Sequence, residues 1–219
     1  MQTRFEGWLP PRGLRSSYDV FLSYRWTGGL DDEIAEGLFF RLSEEVVDGR
    51  AVQVFWDRQR LEHGRNFQAD FAGALAASRV VVPLVSQRAL TRMHRLKAES
   101  GCDNLLLEWT LSVVLQQGGV LSALLPIMFG AELDPQATPK DISADTASPP
   151  ACVASLFAAG GPGSLPEVMV AAVHHEASAA LHSLGHAAQG VSRLEGLSVK
   201  GTVGALTKYL GVAAWQLSL

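Results

Sequence analysis

One acid stands alone in an apolar run: Glu108, within the stretch GCDNLLLEWTLSVVLQQ from Gly101 to Gln117. An ionised carboxylate is costly to bury unless it is paired. Glu108 therefore points into a cleft, holds a cation, or does chemistry. A structural ion pair with Arg25 or Arg79, or a solvent-facing position, are the plain alternatives. Other residues of chemical interest lie where strands are expected to end. Arg25 and Trp26 follow one apolar run, and Asp57 follows Phe55 and Trp56 at the end of another. A guanidinium can pair with a phosphate or a carboxylate. The rings of Trp26, Phe55 and Trp56 can stack on a flat ligand, although neighbours on a strand face opposite ways, so one of Phe55 and Trp56 is expected in the core.

Some conspicuous groups read as structure. His174, His175, Glu176, His182 and His186 lack the HExxH pattern and read as a polar helix face, so no metal is expected. Cys102 has nothing nearby in sequence to activate it. GGPGS, from Gly160 to Ser164, follows no strand and precedes no lysine, so it reads as a loop and not as a phosphate cradle.

The elements that must hold Glu108 follow from periodicity. Leu105, Trp109 and Val113, with Leu106 and Val114, recur at helical spacing, and Leu107 and Leu111 cover much of the rest. A helix apolar on nearly every side is largely buried. Asp103 or Asn104 can cap its start, and Gly118 and Gly119 end it. Before it, YDVFLSY (Tyr18–Tyr24) reads as a central strand. Leu30, Ile34, Leu38, Leu42 and Val46 mark an amphipathic helix, with Asp31, Asp32 and Glu33 suited to its positive end and Asp48 and Gly49 as its stop. Ala51–Trp56 is a second strand, Asp57–Asn66 a polar loop turning at Gly64, and Phe67, Phe71, Ala74 and Leu75 a second helix. Arg79–Val85 is continuously apolar, as a parallel strand covered on both faces should be. Ser86–Ser100 reads as a charged connector and Val120–Phe129 as a fourth strand.

Strands alternating with helices imply an α/β domain with a doubly wound parallel sheet, which binds ligands beyond the C-terminal strand ends. Residues 1–17 read as an irregular lead-in. The Pro-, Ala-, Ser- and Gly-rich segment 131–166 reads as a long loop insertion. Glu167–Leu184 reads as a helix, and Gly196–Leu217 as a turn and a closing helix.

The chain has 219 residues, 47% apolar and 18% charged, with net charge -4 and pI about 5.8. It is long enough for one domain with a real core, and it lacks the basic field a main nucleic-acid partner would need. Two cysteines, Cys102 and Cys152, make no disulfide framework. With neither a signal-peptide core nor an apolar run long enough to span a bilayer, a cytoplasmic protein is the expectation.

Taken in order, YDVFLSYR, VFWDRQRLEHGRNFQADFAGALAASRVVVPLVS, the Glu108 helix and LPIMFG resemble a TIR (Toll/interleukin-1 receptor/resistance protein) domain over Tyr18–Gly130, and GLSVKGTVGALTKYLG is similar to its closing helix. The resemblance implies a flavodoxin-like sheet with helices on both faces, extending over residues 18–219. It also implies one of two functions. Some TIR domains are non-enzymatic adaptors that assemble signalling complexes through TIR–TIR contacts. Others cleave the nicotinamide–ribose bond of NAD in immune, stress or cell-death signalling. The latter carry a glutamate where Glu108 stands, and NAD is then a substrate, with no cofactor. In that reading Glu108 is catalytic. Arg25, Trp26, Phe55, Trp56 and Asp57 contact NAD, and the loop carrying Leu61, Gly64 and Phe67 meets a neighbouring protomer of a homo-oligomer. The sequence departs from the pattern at Asn104, four residues before the glutamate, where an aromatic residue is common, and in its longer insertion after Gly130.

Overall fold

The structure, a computed structural model, describes residues 18–26, 29–56, 67–129 and 165–209. The lead-in, the loop from Asp57 to Asn66 and nearly all of the expected insertion lie outside them.

Strand β1 (Tyr18–Ser23) is central, because its two faces feed two cores. Phe21 packs with Phe55, Val81 and Val85 on one side. Val20, Leu22 and Tyr24 pack with Val54, Trp56, Val82 and Leu84 on the other. This is the period-two alternation of a strand covered on both faces. β1 pairs in parallel with β4 (Val54–Phe55) and with β5 (Ser78–Ser86), Phe21 standing beside Phe55 and Val81. Beyond β5 lie β6 (Ala123–Leu124) and β7 (Ile127–Phe129), both parallel to it, so the order is β4-β1-β5-β6 with β7 also on β5. This is the doubly wound parallel sheet that the sequence implies.

The expected fourth strand is present but interrupted. Val81 stands opposite Leu124 and Leu84 opposite Ile127, so β6 and β7 keep one register across the gap. That register brings Pro126 opposite Pro83. Neither has an N–H to donate, so the ladder lapses where the two prolines meet.

Helix α1 (Leu30–Glu44) covers one face of the sheet. Its fully buried residues are Asp31, Asp32, Ala35 and Phe39, and Ile34, Leu38 and Leu42 of the expected stripe pack half-buried against the same core; Leu30 is exposed, and Val46 lies beyond the end of the helix. Gly29 precedes it at φ 89°, and a Cβ there would lie 3.2 Å from Nη1 of Arg88, so glycine suits both the backbone and the space. Asp48 and Gly49 do more than stop this helix. Both have positive φ, and they turn a small antiparallel hairpin of β2 (Val46–Val47) and β3 (Arg50–Ala51). The expected second strand is thereby split between β3 and β4.

The other face carries α2 (Phe67–Ala76), α4 (Asn104–Gln117), α5 (Ala171–Ser183), α6 (Ala187–Leu194) and α7 (Val199–Thr207). The segment read as a charged connector holds a further helix, α3 (Gln87–Met93), capped by the Ser86 hydroxyl accepting from the Ala89 N–H. Helix α4 is the centre of this layer: ten of its fourteen residues are buried, Trp109 completely. At about 1.5–3 kcal/mol per fully buried large apolar side chain, its docking is a main source of stability. No helix among the described residues is long and apolar enough to cross a membrane.

Candidate active site at the seam between β1 and α4

Alternation along β1 puts Phe21, Ser23 and Arg25 on the α4 side. Phe21 is core; the next two grip carboxylates on α4. The Ser23 hydroxyl donates to Oε2 of Glu108 at 2.6 Å. Two residues on, Nη1 and Nη2 of Arg25 donate to Oδ2 and Oδ1 of Asp103, each at 3.0 Å. This two-pronged geometry matches the flat guanidinium to the flat carboxylate. The Arg25 side chain is 8% exposed and that of Asp103 only 1%.

Asp103 has further duties. Its Oδ1 accepts from the Leu106 N–H, capping α4 as expected, and its Oδ2 lies 3.1 Å from Nε of the exposed Arg92. One carboxylate thus caps a helix N-terminus and contacts two guanidinium groups, while the buried Nε of Arg25 has no hydrogen-bond partner among the described residues. Glu108 is half-buried, five residues further into the helix, which is about 7.5 Å along the axis at 1.5 Å per residue. The Ser112 hydroxyl donates to the backbone carbonyl of Glu108 at 2.7 Å.

A second acidic group lies at the same sheet edge. Asp31, at the start of α1, accepts from the Ser86 hydroxyl at 2.6 Å. Burial pushes its pKa up, against the opposing pull of that hydrogen bond. Asp32 beside it is also buried, and both its carboxylate oxygens lack a hydrogen-bond partner among the described residues.

Several expectations change here. Arg25 does not hold Glu108: its terminal nitrogens are taken up by the buried bidentate bond to Asp103. Arg79 does not hold Glu108 either; it lies 3.9 Å from Asp19. Phe55 and Trp56 are not platforms for a ligand. Phe55 is 3% exposed and stacks on Phe21 at 4.8 Å, while Trp56 is 2% exposed and donates from Nε1 to the Tyr24 hydroxyl at 2.9 Å. They face opposite ways, but both faces are core. Trp26, in contrast, is 67% exposed just past the end of β1. Asp57, Leu61 and Gly64 lie outside the described residues, and Phe67 opens α2.

Ser23, Asp103 in its pairing role, and Arg92 were missed by the sequence reading. A serine in an apolar strand has no periodic signal, and its partner is 85 positions away. The one hint was a small polar residue on the same strand face as Phe21.

Other groups are chemically quiet. Burial, reinforced by Glu176 and Asp103, pushes the Cys102 thiol up to about 11, which leaves little thiolate for attack. Among the described residues no three His, Cys, Asp or Glu side chains are grouped to hold a metal. A small cavity of about 10 Å³ lies between α4, α5 and α7, lined by Leu106, Thr110, Val173 and Thr202 among others. It opens on the side of α4 away from Glu108, since positions 106 and 110 lie across the helix from 108.

No family model matches the chain, and no curated protein does. Among solved structures it is similar to the TIR domains of the activated Roq1 resistosome directly recognising the pathogen effector XopQ. The identity is 15%, over 92% of this chain and 88% of that one, with a TM-score of 0.44.

Proposed function

We propose that this protein is an NAD glycohydrolase in which Glu108 is the catalytic carboxylate. The observation that carries the reading is the placement of Glu108: a half-buried acid in an otherwise buried apolar helix, held by a strand hydroxyl near the C-terminal end of β1. Parallel α/β sheets bind ligands at that edge.

The chemistry asks for one carboxylate. Nicotinamide in NAD is already a cationic pyridinium, so it departs as a neutral base and needs no general acid; a glycosidase needs a second carboxyl for that step. As the bond breaks, positive charge grows on the ribose, and a fixed carboxylate facing it lowers the barrier. Water then adds to the anomeric carbon and loses a proton, giving ADP-ribose; attack by a group of the same molecule gives a cyclic product. Trp26, exposed just past the end of β1, is the candidate ring for stacking on a base. Arg25 acts by holding α4 against β1. The exposed guanidinium of Arg92 is a candidate for the pyrophosphate.

The adaptor reading keeps one observation in its favour. Phe40, Val46 and Val47 are exposed large apolar residues at the end of α1 and in the hairpin that follows it. They offer a contact surface for another protomer, and homo-oligomerisation is compatible with either function.

Nicotinamide release from NAD by wild type and by Glu108→Gln, with protein concentration raised stepwise, separates the two. Release by wild type alone supports the enzyme. No release by folded wild type at any concentration leaves the adaptor.

A further inference from the structure

We infer that Ser23 is a positioning residue for Glu108: its hydroxyl fixes the carboxylate at Oε2. The inference rests on the reading of Glu108 as catalytic, and it adds a residue that the sequence motifs did not assign.

Three observations carry it. Ser23 is completely buried, and a buried hydroxyl needs a partner. Its partner among the described residues is Oε2 of Glu108, at a short 2.6 Å. Hydrogen bonds from a hydroxyl to a carboxylate are short and strong when the acceptor is ionised.

The hydroxyl is also held rigidly. Ser23 pairs with β5, standing opposite Pro83, on a strand hydrogen-bonded on both sides. The Arg25–Asp103 clamp, two residues along the same strand face, ties that strand to the start of α4. A glutamate has three side-chain torsions to restrict. A donor fixed on the sheet restricts them where a donor on a loop would not.

A merely structural serine would behave differently. Removing its hydroxyl would leave a small void and little else, whereas a positioning hydroxyl affects the reaction more than the fold. Ser23→Ala should lower kcat by about 10- to 100-fold with KM nearly unchanged, the range expected for losing one hydrogen bond to a charged group. Ser23→Thr, which keeps the hydroxyl on a residue suited to strands, should recover most of the loss. A second readout does not need turnover. The Glu108 side-chain carboxyl, followed by carbon-13 NMR, should titrate at higher pH in Ser23→Ala than in wild type, because the lost donor favoured the ionised form.

Wild-type kcat in Ser23→Ala, with Glu108→Gln inactive, overturns the role of Ser23 and leaves the glycohydrolase standing. If wild type shows no turnover, the glycohydrolase falls and the titration alone judges the hydrogen bond. Equal midpoints in the two proteins would then refute it.

Discussion

The two ends of β1 both carry ion pairs, but of opposite kinds. At the start of the strand, Asp19 meets Arg50 and Arg79 in the open, with arginine side chains 54% and 42% exposed. Near its end, Arg25 and Asp103 are sealed between sheet and helix. Water screens the first and leaves it worth little. The second must be complete, because a charge left alone in the interior is very costly. The open network lies at the surface, and the sealed one ties the start of α4 to the end of β1.

The largest effect should come from breaking the sealed pair. Asp103→Ala strands the Arg25 guanidinium and removes the α4 cap, and should cost about 3–5 kcal/mol in denaturant unfolding. Asp103→Asn, which can still cap, should cost less. A change under about 1 kcal/mol for the alanine variant would mean the seam is not rigid, and the contrast between the two ends would collapse.

Asp31 sharpens the comparison through pH. Its folded pKa lies above the ordinary aspartate value because it is buried. The unfolded chain therefore ionises first as pH rises, and the contribution of Asp31 to stability, complete at low pH, is lost through that window. Asp31→Asn does not titrate. Its stability relative to wild type should climb with pH between the ordinary and the raised value and then level off, as thermal unfolding across a pH series would show.

Asp19 should show the opposite sign, and the smallest effect. Its bonds to Arg50 hold its pKa below the ordinary value. That contribution is present above the ordinary range and lost as pH falls through the depressed one. Arg50→Ala should therefore be slightly less stable than wild type at neutral pH and equal to it in strong acid. A large loss at neutral pH would place this end of β1 with the sealed one.

Local pattern revealed the elements, and distance in sequence hid their pairing. The two-sided apolar face of β1, the apolar α4 with its single acid, and the Asp103 cap were all legible, because each is written within a few residues. Arg25 was legible as important but was given the wrong partner, because Asp103 lies 78 positions away and nothing local couples them. Phe55 and Trp56 looked like ligand platforms because strand alternation shows which way a ring points and not whether helices cover both faces. Helix α3, seven residues long, is too short for a periodic stripe. The break between β6 and β7 needed the register that brings Pro83 and Pro126 together.

The central claim is that the charge of Glu108 does the chemistry, and Glu108→Gln tests it most directly. The amide keeps the shape and one oxygen for the Ser23 hydroxyl, while the charge is lost and the other oxygen becomes an NH2 donor. Nicotinamide release should fall by about 100-fold or more, on the order expected for losing a preorganised stabilising group, with the fold unchanged by circular dichroism. Release at the wild-type rate would contradict the account and move the activity away from this carboxylate.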